Sequence, residues 1–292
     1  MKNAMMPYLI EGVRLGLELA SQSVVLLVLI PFMVWVTEDL PALLIGRAVA
    51  PLGSRYRRFG HFGREILRHG IDVESGLMLT LALLALLILA GMSFFTPSCL
   101  GLVGAWLADP LLVGSLILTG ALWAVPAYFG QVVRCWFVLC LMESFLVLAA
   151  PGVTGFLGVH HLLIAAPGSS LAGTALCCAV ALALLTPVPR REVLAAEMIE
   201  QAWPPSRAER DQKQRILELY RLGWVLLVGD SLLPVLFGLE GLGSVAGFIG
   251  RFMGGVVLIL IGRFTRVDRY RRFVALLLGL AGLMALAGRF AV

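Results

Sequence analysis

The sequence predicts an all-α fold, a polytopic transmembrane helical bundle of about eight spans. Three observations carry that reading. Apolar stretches recur along the chain, each supplying the roughly 17–25 residues that a membrane-crossing helix needs. Of the 23 Lys and Arg residues, 19 fall in or beside four segments: 37–75, the neighbourhood of Arg134, 187–222 and 263–272. The composition is 60% hydrophobic and 14% charged, about half the charged fraction of an ordinary soluble domain.

In chain order the spans read as 16–36, 76–96, 110–128, 132–150, 161–186, 221–239, 244–262 and 272–290. Basic residues collect on the cytoplasmic side of membrane proteins, and one assignment places all four basic segments there. An even number of spans then leaves both termini outside. The loops facing outward, 97–109, 151–160 and 240–243, contain no Lys or Arg. Lys2, Arg14, Arg251 and Arg289 depart from the pattern, and only Arg251 falls awkwardly within a span. The first stretch reads as a span rather than a cleaved signal peptide. It is too long, carries Glu11 and Glu18 ahead of its apolar core, and lacks a small-residue cleavage site.

The chain is expected to be a single integral membrane domain over 1–292. The longest polar stretches, 37–75 and 187–221, hold fewer than 40 residues each, too few for an independent core. Segment 37–75 mixes basic and aromatic residues, including Arg55, Tyr56, Arg57, Arg58, Phe59, His61, Phe62, Arg64 and Arg68. It predicts a short amphipathic helix at 60–70 lying at the headgroup level. Segment 187–221 opens with Pro187 and Pro189, then follows a charged helical pattern interrupted at Pro204 and Pro205. Such a surface suits a docking protein, or it is a solvated loop that sets topology. The net charge of +5 and pI near 9.2 follow from the loop bias, so nucleic acid is not an expected partner.

Cysteine spacing offers no metal site: Cys135 and Cys140 are five apart, Cys177 and Cys178 are adjacent, and Cys99 stands alone. They read as small apolar packing residues. His160 and His161, at the outer edge of the fifth span, point about 100° apart on a helix and make a poor metal pair.

Carboxylates within the membrane are costly, which makes them functional candidates. Glu143 lies mid-span in the fourth helix and Asp230 mid-span in the sixth. Each is either a proton-handling or ion-pairing group, or a neutral carboxyl in an interhelical hydrogen bond. Arg134, at the start of the fourth span, can snorkel and serve as a topology anchor.

Several stretches in order carry a family resemblance. Gly46-Arg47 through Pro51, followed by Phe62-Gly63-Arg64-Glu65-Ile66-Leu67-Arg68, is one. Arg134-Cys135-Trp136-Phe137 with Glu143-Ser144 is another. Ile216-Leu217-Glu218-Leu219-Tyr220, then Arg263 through Tyr270, complete the set. Together they resemble the membrane subunit 1 family of respiratory complex I. The nearest branch is subunit 4 of formate hydrogenlyase and its relatives in energy-converting [NiFe] hydrogenases. The chain departs from that family's pattern at Pro151-Gly152 and His160-His161, at Leu260 through Gly262, and at His69-Gly70.

The resemblance implies a membrane subunit of a proton-coupled oxidoreductase complex in a bacterial or archaeal cytoplasmic membrane. It would join a peripheral redox arm, hydrogenase-like or quinone-reductase-like, to antiporter-like membrane subunits. The same resemblance implies proton-coupling roles for Glu143, Glu197, Glu200 and Glu218, with Asp230 added from its mid-span position. Arm docking would fall to Arg47, Arg64, Arg68 and Arg134. No cofactor is expected on this chain; Fe–S clusters, and Ni–Fe or quinone, would belong to the partners or their interface. Two other readings fit the same residues: a scaffold that anchors a redox partner without moving ions, and a stand-alone permease. A permease would favour internal repeats and discontinuous helices near the midplane, and no repeat is evident.

Overall fold

A computed structural model describes residues 27–44, 46–93, 110–126, 129–149, 170–186, 207–237, 244–264 and 267–290, with isolated positions between 10 and 25. Every long regular element among them is a helix. The first, Leu27–Leu44 (α1), continues past the expected end at residue 36 and takes a π-helical turn over Trp35–Asp39. Glu38 and Asp39 read as the start of a polar loop in the sequence. In the fold both carboxylates meet arginines from other helices, so the helix has no need to end before them. It closes at Gly46, whose φ of 79° lets the N–H groups of Gly46 and Arg47 reach the Leu43 and Ala42 carbonyls at 2.9 and 3.0 Å.

Pro51, extended at φ −63° and ψ 147°, precedes the amphipathic helix Leu52–His69 (α2). This helix begins eight residues earlier than the expected 60–70. Gly53, Gly60 and Gly63 dilute its periodicity in the sequence, whereas in the fold Arg55 and Phe62 define its buried face and Phe59 and Ile66 pack beside them. Gly70, at φ 75°, ends it. Asp72 then starts the next helix, Val73–Ser93 (α3), by accepting the Ser75 N–H at 2.9 Å.

The remaining helices are Pro110–Ala124 (α4), Phe129–Ala149 (α5), Ser170–Leu185 (α6), Arg207–Phe237 (α7), Ser244–Phe264 (α8) and Val267–Phe290 (α9). The sixth expected span at 221–239 is thus the second half of a helix whose first half is charged. Every residue of α7 from Arg215 to Gly229 is buried, which marks a helix enclosed on all sides. It packs against α3, α4, α6 and α8, while α6 also touches α5 and α9. At the base of this inner pair, the Gln131 amide donates to the Leu185 and Thr186 carbonyls at 2.8 and 2.7 Å. It thereby satisfies acceptors that the end of α6 would otherwise leave open.

The outer helices show the opposite distribution. Along α9 the residues at 274, 281, 285 and 288 are buried, but Leu276 is 70% exposed and Phe290 84%. Among the described residues three helices are long and apolar enough to cross a membrane: Leu27–Leu44, Phe129–Ala149 and Arg272–Phe290. The apolar parts of four others are shorter, at Val73–Leu86, Leu111–Ala124, Ser170–Leu185 and Phe252–Gly262.

One close approach fixes α4 against α7. Tyr220 is fully buried and donates its hydroxyl to the Met78 carbonyl at 2.6 Å. Its ring covers Gly120, where a Cβ would overlap the ring carbons. Gly120→Ala is therefore expected to lower stability by about 1–3 kcal/mol, because a rigid buried ring has nowhere to move. Chemical denaturation of the detergent-solubilised chain checks this, and an unchanged midpoint would contradict the packing described.

Candidate functional site

Where α1, α2 and α7 meet, six ionisable side chains are gathered. Arg55 on α2 grips Asp39 on α1 with two parallel bonds, Nε to Oδ2 at 2.9 Å and Nη2 to Oδ1 at 2.7 Å. The same guanidinium lies 3.8 Å from Glu38. Glu38 in turn pairs with Arg221 on α7. Three residues before Glu218 on α7, Arg215 holds that glutamate through both carboxylate oxygens, at 2.7 and 2.9 Å. Arg55, Asp39, Arg215, Glu218 and Arg221 are all buried, and with every group ionised the three positive and three negative charges cancel.

Local sequence explains the arrangement. Glu38 and Asp39 are adjacent in the π-helical turn, and adjacent helical side chains diverge by roughly 100°, so each addresses a different neighbour. Arg215, Glu218 and Arg221 recur at intervals of three along α7, which keeps them on one flank of the helix. A second link stands beside the cluster, where Lys213 on α7 bonds Glu74 on α3 at 2.9 Å. The charged half of α7 is therefore tied by ion pairs to α1 and α3.

Burial disfavours the Arg55 charge, but Asp39 and then Glu38 outweigh it and hold the guanidinium pKa above its ordinary value. Glu218 responds differently. Burial pushes its carboxyl above the ordinary range, Arg215 and Arg221 pull it back, and Glu38 adds to the push. The net result is a carboxyl more ready to hold a proton than an exposed one. Taking that proton would leave the cluster with one surplus positive charge among three arginines. One donor, Nη1 of Arg55, is buried with no hydrogen-bond partner among the described residues.

Of the residues singled out from the sequence as site candidates, Glu218 alone among the described residues belongs to this cluster. Glu143 is half-buried on α5. Asp230 is on α7, its side chain outside the described residues, as is that of Arg251. Ser231 Oγ lies 4.0 Å from Met142 Sδ, so positions 143 and 230 sit at one depth on facing helices. Glu197, Glu200, Cys99, His160 and His161 lie outside the described residues. Arg47, Arg64, Arg68 and Arg134 are all exposed. Among the described residues Cys135, Cys177 and Cys178 are buried and Cys140 is exposed, all as free thiols. No group of three or more His, Cys, Asp or Glu among them is placed to hold a metal ion.

Sequence reasoning missed Glu38, Asp39, Arg215 and Arg221, and read Arg55 only as one of a run of basic residues. The signal within reach was the Arg215, Glu218, Arg221 interval set inside a helix otherwise ready for complete burial. No family model, curated protein or solved structure matches the chain, so these residues carry the functional argument themselves.

Asp39→Ala leaves Arg55 buried without its main partner and is expected to cost about 3–5 kcal/mol, whereas replacing both residues with apolar ones of similar volume restores much of that loss. Arg64→Gln, on the exposed face, should change stability by less than about 0.5 kcal/mol. Denaturant titration of the four proteins checks the set. Glu218 adds a pH signature. Its folded pKa is raised above the unfolded value near 4.5, so its contribution favours folding below that value and is lost as pH rises through the folded one. Glu218→Gln should therefore flatten the pH dependence of the unfolding midpoint on the alkaline side of 4.5, and an unaltered profile would contradict the assignment.

Proposed function

We propose that this chain is the membrane-arm subunit of a proton-coupled oxidoreductase complex, spanning the membrane eight times with both termini outside. In this reading the buried cluster of Glu38, Asp39, Arg55, Arg215, Glu218 and Arg221 sits at the cytoplasmic entrance of the membrane domain, beneath a docked redox partner. The cluster is the single observation that carries the proposal. Buried ion pairs are poor stabilisers compared with apolar packing, and six charged groups gathered in one place invite a role other than holding helices together. Buried ionisable groups that face one another are where proton-handling sites are found.

The chemistry follows from charge balance. A neutral cluster in a region of low dielectric responds strongly to a charge placed near it. When the partner's redox centre gains an electron close to this surface, the added negative potential favours protonation of Glu218, and its removal favours release. Arg215 then has an ionised carboxylate partner in only one of the two states. That alternation gives the remaining carboxylates, Glu143 and Asp230 among them, a graded potential along which to hand protons on. Fe–S clusters, with Ni–Fe or quinone, belong in this reading to the partner subunits or their interface, and antiporter-like subunits extend the path laterally.

The exposed leucines of α9 and the exposed apolar stripe of α8, at Ile249, Met253, Val257 and Ile261, support the eight-span arrangement, since such surfaces are covered by lipid in a membrane bundle. Reporter fusions after residues 60, 205 and 268 should read cytoplasmic, and fusions after 103, 155 and the C-terminus external. Mild detergent extraction should bring down hydrogenase-like or quinone-reductase-like subunits with the chain. An external signal at 205, or a chain that purifies alone under every mild condition, would refute the proposal.

A further inference from the structure

The outward surface of α2 is not used by the cluster. Its buried face, centred on Arg55 and Phe62, points into the protein. Arg57, Arg64 and Arg68 are exposed and spaced by seven and four residues, which places them in one stripe on the far side of the helix. His61 falls in the same stripe, 3.4 Å from Glu65. Over its whole length α2 holds five arginines against one acid. Beside the stripe, roughly 100° around the helix, Tyr56 and Leu67 form an apolar strip, with Leu67 87% exposed. The positions of Gly60 and Gly63 between them leave open space. At the two ends of the helix, Leu44 and Val73 are also exposed, at 73% and 91%.

We infer that this face of α2 binds the headgroups of anionic phospholipids in the cytoplasmic leaflet. The inference rests on the membrane reading above and adds a ligand to it. Two arguments favour lipid over a protein as the occupant. The first is tethering: α2 is joined to α1 by residues 45–51 and to α3 by residues 70–72. With α1 and α3 both crossing the bilayer, so short a connection at each end holds the helix against the membrane surface. The second is the division of its exposed surface. An apolar strip flanked by a cationic one is the pattern of a helix lying in the interface, with Leu67 and Tyr56 toward the acyl boundary and the guanidinium groups level with phosphates. Arginine forks suit phosphate oxygens and stay charged at any physiological pH. Arg64 and Arg68, which the family resemblance assigns to arm docking, are reassigned here to lipid.

The test uses the full chain purified in mild detergent and reconstituted into nanodiscs of phosphatidylcholine mixed with phosphatidylglycerol. Lipids retained by the protein are then counted by native mass spectrometry. Each arginine is worth about fivefold in preference for anionic over zwitterionic lipid at low salt. Arg57→Gln, Arg64→Gln and Arg68→Gln combined should lower the preference by roughly a hundredfold. Thr80→Ala, an exposed uncharged position on α3, should leave it unchanged. A wild-type chain without the preference, or a triple variant that retains it, overturns the inference. So does full displacement of phosphatidylglycerol by glycerol phosphate, which would identify a site for free anions. Loss of co-purifying subunits from the triple variant at unchanged lipid preference would place a protein on this face and equally overturn it. Resistance of the chain to carbonate extraction, measured in the same membranes, separates failure of this inference from failure of the membrane reading.

Discussion

Six ionisable side chains packed at one end of a helical bundle are costly unless each finds its partner inside the protein. The rest of the architecture follows from that demand. Asp39 and Glu38 keep α1 helical beyond its apolar part because Arg55 and Arg221 neutralise them. Arg55 requires α2 to lie with that residue turned inward, which fixes the rotation of the helix and thus the side on which Arg57, Arg64 and Arg68 emerge. Arg215 and Glu218 extend α7 well before its apolar half begins. A neutral core of leucines would have been easier to bury, so the retention of charge is itself the feature to be explained.

The central position of α7 connects that cluster to the rest of the molecule. The same helix carries Arg215, Glu218 and Arg221 in its charged half, Tyr220 against α3 and α4, and Asp230 at the depth of Glu143. Because it is enclosed on all sides from Arg215 to Gly229, any shift in its ion pairs is transmitted to close-packed neighbours rather than absorbed by solvent. Gly255 illustrates the tightness: a side chain there would strike the Val225 backbone carbonyl. Charge at one end and packing along the length belong to one rigid element, which on the proposed reading would couple a surface event to groups deeper in the bundle.

Much of the helical layout is legible in the sequence, for identifiable reasons. Apolar length and the distribution of arginines locate the helices, since both reflect properties of single segments. The ends are harder. Glu38 and Asp39 look like loop residues until their partners, distant in sequence, are known, and α1 then reads as ending at 36. The start of α2 is hidden by glycines and by an inward arginine that breaks the expected apolar face. Glu218 is reached through a family resemblance, whereas Glu38, Asp39 and Arg221 are missed, because pairing across 183 residues, as between Glu38 and Arg221, leaves no local signature. Glu143 and Asp230 stand out by depth alone, and the fold places them apart from the cluster, on α5 and further along α7.

The most direct measurement of the central claim is the number of protons translocated per electron by the intact complex in proteoliposomes, with wild-type chain and with Glu218→Gln. Glutamine keeps the shape of the side chain and its ability to bond Arg215, but it has no proton to exchange. If the cluster couples redox change to proton movement, the variant assembles, continues to pass electrons, and translocates fewer protons for each one. An unchanged ratio in a fully assembled complex would contradict the account and leave the cluster a structural clasp.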